Sequence, residues 1–198
     1  MPNVCVLVPC YNEAQRLPQS QFHAFLSASP SYDICFVNDG SRDNTLEVLG
    51  QLKQAFPEHV RVIDLQPNRG KADAVRAAMQ QLYSQGEYDY VGFLDADLAY
   101  SLAEFERYVD IVQEQPELRF VTAARFRRLG VDIHRPFWRH VFSRLIATWI
   151  DGVILKIGVY DTQCGAKLFC AEDLPHLFNE PFFFNDTATI EIYTRQII

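Results

Sequence analysis

The chain reads as a doubly wound α/β fold, a mostly parallel sheet with helices on both faces. Three observations predict it. Four short runs rich in Val, Ile, Leu and Phe are nearly continuous in apolar residues, as strands are when both of their faces are covered. Segments with a helical apolar period lie between them. The sharpest polar residues come directly after the runs, where open α/β sheets bind their ligands.

The first strand is expected over Val4–Val8, and a helical pattern over Leu17–Ala28 leads to the second, Ile34–Val37. The next helix, Thr45–Phe56, puts Leu46, Leu49, Leu52 and Phe56 on one stripe. Val60–Leu65 is the third strand. Lys71–Tyr83 follows as a helix with Ala74, Ala78 and Leu82 facing one way, and Tyr90–Leu94 is the fourth strand. Ser101 and Glu104 form a capping box that opens a fourth helix, Ser101–Val112. This β-α-β-α-β-α-β-α order predicts right-handed crossovers. A fifth strand fits Phe120–Ala124, and a long amphipathic helix fits about Pro136–Ile157.

With 198 residues, 48% of them hydrophobic and 22% charged, the chain suits one domain with a real core. A net charge of −7 argues against a general nucleic-acid binder. The cysteines, at 5, 10, 35, 164 and 170, are odd in number and lack a C-x-x-C pair. They suggest neither a disulfide framework nor a zinc site, and they fit a reducing compartment. No signal peptide is expected. No membrane span is expected either, because the longest apolar stretch, Leu145–Tyr160, is broken by Asp151 and Lys156.

The residues after the strands carry the chemistry. Asp95 and Asp97 flank a small residue, and two carboxylates that close repel unless a cation lies between them. Oxygen ligands favour Mg²⁺ or Mn²⁺. A strand-end turn with two solvated acids would look the same. Asn68-Arg69-Gly70-Lys71 opens a helix, where free N–H groups and two cations would face an anion, or where the helix start is simply solvated. Asp39 offers acceptors for a base edge, Gly40 allows a tight turn, and Ser41 or Asp43 can cap the next helix. No G-x-G-x-x-G, P-loop, G-x-S-x-G or H-E-x-x-H motif is present, which removes dehydrogenases, P-loop NTPases, α/β-hydrolases and zincins. Together the loops describe a site for a nucleoside diphosphate with a divalent metal.

Six motifs then resemble family 2 of the inverting glycosyltransferases, with the GT-A (Rossmann-like) fold, in the branch of dolichyl-phosphate β-glucosyltransferases and polyprenyl-phosphate glycosyltransferases. They are VPCYNE at 8–13, VNDGSRDNT at 37–45, NRGKADAVRAAM at 68–79, FLDADLA at 93–99, TAARFR at 122–127 and YDTQCGAKLF at 160–169. The resemblance implies that Pro9, Tyr11 and Glu13 line the nucleotide pocket, that Asp39 reads the base and that Lys71 approaches the diphosphate. It implies that Asp97 ligates the metal, with Asp95 on the metal or the donor. Arg125 falls where relatives meet the acceptor phosphate, and Arg139 and Ser143 have the i, i+4 spacing of an acceptor-phosphate pair on one helix face. Asp161 and Gln163 fall in the acceptor-side loop, where Asp161 would assist the reaction.

The implied reaction moves a hexose, glucose before mannose, from UDP-glucose or GDP-mannose to a polyprenyl or dolichyl phosphate at the cytoplasmic face of a membrane. Alternatives are a soluble family 2 transferase acting on a glycan or glycolipid hydroxyl, and a nucleotide-sugar-binding fragment without turnover. The segment His134–Tyr160, with Arg135, Arg139 and Arg144 among Phe and Trp residues, suits either an interfacial helix or a helix packed on the sheet with a basic outer face. The chain departs from family patterns at Ala99, Asn38 and Ala166, which relatives often fill with Gln, Asp and Phe.

The final segment, residues 182–198, does not resemble the family. Phe184-Asn185-Asp186-Thr187 and its continuation resemble a translated short-read sequencing adapter, with one difference at Ile190. The expectation is therefore a catalytic domain over 1–181, truncated at its C-terminus, and a non-native tail over 182–198 that packs poorly.

Overall fold

The computed structural model describes residues 1–122 and 165–178. The end of the expected fifth strand, the helix at 136–157, Arg125, Arg139, Ser143, Asp161, Gln163 and the tail at 182–198 lie outside the described residues.

The elements alternate as expected: β1 (Val4–Cys10), α1 (Gln19–Ser27), β2 (Asp33–Asp39), α2 (Thr45–Ala55), β3 (Val60–Leu65), α3 (Lys71–Gln85), β4 (Tyr90–Leu94), α4 (Leu102–Glu114) and β5 (Phe120–Thr122). Then come β6 (Ala166–Cys170) and, after a single 3₁₀ turn, a short α5 (Leu174–Phe178). The sheet order is β3-β2-β1-β4-β6-β5. The β1–β2, β2–β3 and β1–β4 pairs are parallel, whereas β6 runs antiparallel to β4 and β5. The strand order therefore reverses between β1 and β4, and the loops leaving these two strands open beside each other.

Helices cover both faces because successive residues of a buried strand point to opposite sides. Val4, Val6 and Val8 of β1 pack with Phe22, Leu49 and Phe105 of α1, α2 and α4. Cys5 and Leu7 pack with Ala78 and Met79 of α3 and with Leu174 and Leu177 of α5. Among the described residues no helix is long and apolar enough to cross a membrane.

Three expectations need correction. Helix α1 starts at Gln19, not Leu17, because the residue before a proline is pushed out of the helical region and Pro18 takes the cap position. Leu46 is 41% exposed. The buried stripe of α2 runs through Thr45, Leu49 and Leu52, and Leu46 stands 100° round from Thr45. Strand β6 was not expected at all. Its second residue, Lys167, is buried in the sheet, and a lysine inside a short apolar run reads as a surface position.

At the opposite end of the sheet from these loops, Asp33 accepts hydrogen bonds from the Tyr88 hydroxyl at 3.0 Å and pairs with His59 at 3.0 Å. Arg61 pairs with Glu87 and lies over the Tyr88 ring. Burial pushes the Tyr88 hydroxyl pKa well above its ordinary value.

Candidate active site

The loops after β1 and β2 are stitched together. Asn12 stands at φ +54°, in the left-handed region that Asn tolerates better than most residues. Its N–H donates to Ser41 Oγ at 3.0 Å, and its Oδ1 accepts from the Arg42 N–H at 2.8 Å. The Glu13 N–H donates to Thr45 Oγ1 at 2.8 Å, and the Ala14 N–H to Asp43 Oδ2 at 3.2 Å. Pro9 is half-buried within β1, and Tyr11 is 41% exposed beside this seam. The Glu13 carboxylate pairs with Arg16 at 2.7 Å. The cap position of α2 is Asn44, which makes no side-chain cap bond. Asp43 takes that role from one residue earlier, accepting from the Thr45 N–H at 3.0 Å and hydroxyl at 2.5 Å. The Thr45 hydroxyl holds the Asp43 carboxyl below the usual carboxylate range.

The loops after β2 and β3 meet at Asp39, which is 3% exposed. Gly40 has φ +63°, and a Cβ there would lie 2.5 Å from the Asn68 nitrogen. Only glycine permits this approach. It brings the Asn68 amide onto the Asp39 main-chain oxygen at 2.7 Å and onto Oδ2 at 2.8 Å. The Arg69 N–H donates to Asp39 Oδ1 at 2.8 Å, and the Gly70 N–H to Oδ2 at 2.9 Å. The N–H groups of Arg69 and Gly70, expected to face an external anion, thus face an internal one. Asp39 meets three donors here, and a carboxylate has about four acceptor positions, so about one position remains for a ligand. Next to it, the Asn38 amide donates to Asp64 Oδ1 at 2.7 Å, and Asn38 Oδ1 accepts from the Ser41 N–H at 3.3 Å. An aspartate at 38 would oppose Asp64 carboxylate to carboxylate.

The third corner is more open. Asp95 follows β4 with 30% of its side chain exposed, and Lys71 Nζ, at the start of α3, donates to its Oδ1 at 2.5 Å. Its N–H donates to the Gly165 carbonyl at 3.2 Å. Ala96 is buried, and Asp97 is exposed, with Oδ1 accepting from the Ala99 N–H at 3.0 Å. Leu98 turns the chain away at φ +49°. The D-x-D triplet is therefore not a pair of merely solvated acids, because Asp95 is bound to a lysine from another loop.

Two hard carboxylates here fit Mg²⁺ or Mn²⁺ binding that relies on waters and substrate phosphates for the remaining ligands. Among the described residues no group of three His, Cys, Asp or Glu side chains forms an all-protein cage.

A chain of contacts thus joins the loops that carry Glu13, Asp39, Lys71 and Asp95: residues 12–14 to 41–45, 39–40 to 68–70, Lys71 to Asp95, and Asp95 to Gly165. Pro9 and Tyr11 flank the first of these loops, and Asp97 lies two residues beyond Asp95. Asn68 was not among the expected site residues. Its partner lies 29 residues away, so no local pattern reveals it.

Comparison with known proteins agrees with this architecture. Residues 5–169 match the family model described as Glycosyl transferase family 2. A dolichyl-phosphate beta-glucosyltransferase of Dictyostelium discoideum is 33% identical over 186 residues, covering 87% of this chain and 55% of that protein. The Drosophila melanogaster protein of the same name is 37% identical over 191 residues, covering 87% and 56%. The chain spans about half the length of these curated relatives. Among solved structures, the mannosyltransferase PcManGT from Pyrobaculum calidifontis, in complex with GDP-Man and Mn²⁺, has a TM-score of 0.62 at 20% identity, covering 98% of this chain and 50% of that one. Mannosyl-3-phosphoglycerate synthase from Rubrobacter xylanophilus has a TM-score of 0.63 at 22% identity, covering 86% and 54%. With the family model matched over most of its length and a six-stranded sheet like that of these transferases, the chain belongs to glycosyl transferase family 2 and has the GT-A fold.

Proposed function

We propose that this chain carries the donor site of an inverting hexosyltransferase that moves glucose from UDP-glucose to a dolichyl or polyprenyl phosphate. The observation that carries this reading is the corner where Lys71 pairs with Asp95, with Asp97 two residues on, at the reversal of strand order. A cation and two carboxylates, one of them exposed, suit a metal-bound diphosphate. The names of the relatives that are 33% and 37% identical support glucose as the sugar and dolichyl phosphate as the acceptor.

In this reading Asp97 and Asp95 hold Mg²⁺ or Mn²⁺, whose charge would offset that of the leaving diphosphate. Lys71 leaves Asp95 for the diphosphate, where its ammonium meets charge that grows in the transition state. Pro9, Tyr11 and Glu13 line the nucleotide, and Asp39 gives its remaining acceptor position to the base. Arg125, Arg139, Ser143 and Gln163 take the acceptor side by resemblance. A lipid phosphate is already an anion and needs little general-base help, so Asp161 serves more to orient than to deprotonate. The lipid acceptor puts the reaction at a membrane surface, on the cytoplasmic side where nucleotide sugars are met.

The test is transfer from radiolabelled UDP-glucose, with Mn²⁺, to dolichyl phosphate in detergent. Label entering the organic phase is expected. Label entering only from GDP-mannose would correct the donor. Label moving only to hydroxyl acceptors would overturn the lipid phosphate, and no transfer to any acceptor would overturn the activity.

A further inference from the structure

We propose that Gly165 is a positioning residue for Asp95: it is a glycine because the Asp95 carboxylate occupies the space a side chain would need. This rests on the reading of Asp95 as a donor-side carboxylate.

Strand β6 runs antiparallel to β4 with Ala166 opposite Leu94. That register sets the residue before β6 beside the residue after β4, and the Asp95 N–H donates to the Gly165 carbonyl. A Cβ at 165 would lie 2.4 Å from Asp95 Oδ2 and 2.9 Å from its Cγ, with Oδ1 at 3.5 Å. Among the described residues, its three nearest neighbours would all be Asp95 atoms. Carbon contacts prefer about 3.5–4.0 Å, so the two groups cannot share this space. A left-handed backbone does not explain the glycine, since the Gly165 φ lies outside the +20° to +160° range. Lys71 donates to Oδ1, the oxygen farther from that position. The Asp95 carboxylate thus has an ammonium on one oxygen and, with the other, fills the space a side chain at 165 would take.

Gly92 makes the contrast clear. It too lets β4 and β6 approach, but a Cβ there would meet the Lys167 carbonyl at 2.6 Å and the Phe105 ring at 2.7 Å. Those neighbours are backbone and core, which cannot yield. At 165 the neighbour is the end of a short side chain, which can rotate away. An alanine at 165 should therefore leave the fold standing and move the carboxylate.

The experiment is a double-mutant cycle on the 198-residue chain, reading Mn²⁺ affinity in the presence of UDP together with thermal stability. G165A is expected to weaken Mn²⁺ binding tenfold or more while remaining folded. In a D95A background, which has no carboxylate to displace, adding G165A is expected to change Mn²⁺ affinity less than twofold. G165A binding Mn²⁺ like the wild type would overturn the proposal, as would an equal loss in both backgrounds. Should G165A not fold, D95A/G165A decides. Restored folding supports the clash with the carboxylate, and continued unfolding overturns it. A wild-type chain that binds no Mn²⁺ with UDP would overturn the donor-site reading instead. The Asp95 carboxyl carbon resonance in the metal-free proteins then judges Gly165 separately. A shift in G165A supports the positioning role, and an unmoved resonance overturns it.

Discussion

Asp39, which ends β2, and Asp95, which follows β4, stand at the same edge of one sheet on strands two places apart, and their surroundings are opposite. Asp39 is 3% exposed and its carboxylate meets an amide and two main-chain N–H groups, all from the loop that follows β3. The Asp95 side chain is 30% exposed and its carboxylate is bonded by Lys71, with the exposed Asp97 two residues on. Both acids belong to motifs of the same family, and both were expected to touch the donor. A carboxylate with most of its acceptor positions taken by N–H groups is chiefly a tie between loops, which then shapes whatever binds beside it. An open pair of carboxylates beside a single ammonium is left for charges that come from outside.

The comparison breaks first if the open corner is dispensable. Removing Asp97, as D97A, is expected to lower transfer by about 10²–10³-fold, the scale of losing one group that stabilises developing charge. Stability should change little, because the side chain is exposed. Steady-state transfer and a melting curve on the same sample check both halves.

The buried corner should behave the other way. D39A strands three donors near the protein interior, at a cost of about 1–3 kcal/mol. Urea unfolding should register that loss, whereas D95A should fall within about 1 kcal/mol of wild type, as expected for a half-exposed ion pair. Equal losses for the two variants would erase the distinction between the corners.

K71A sharpens the account of the open corner. It removes the partner of Asp95 and the cation proposed for the diphosphate, so donor KM should rise about tenfold, or about 1.4 kcal/mol. Acceptor KM should stay near wild type. The smallest effect concerns the seam between the first two loops. The Asp43 carboxyl is held below its ordinary pKa of about 3.9 by the Thr45 hydroxyl. A depressed carboxyl adds stability above its unfolded pKa and loses it as pH falls through the folded value. Melting temperature should therefore drop below about pH 4 less steeply in D43N than in wild type.

Much of this was legible in the sequence. The four parallel strands and their helices follow from apolar period, and the Ser101–Glu104 capping box is formed as expected, with Ser101 Oγ accepting from the Glu104 N–H at 3.2 Å. These signals are local. Placing Asp39, Lys71 and Asp95 at strand ends was enough to gather them at one edge. What escaped depends on partners far apart in sequence. The Asp39 bonds span 29 to 31 residues, and the Gly165 contact needs the register of an antiparallel strand whose second residue is a buried lysine. The motif displayed Gly165 without its reason, because the reason is a side chain 70 positions earlier.

The most direct test of the division between the corners is calorimetric titration of UDP into the wild-type chain and D97N, each with and without Mn²⁺. The account predicts that Mn²⁺ tightens UDP binding at least tenfold in wild type and not in D97N, at unchanged melting temperature. UDP binding that ignores Mn²⁺, or that keeps its dependence on Mn²⁺ in D97N, would contradict it.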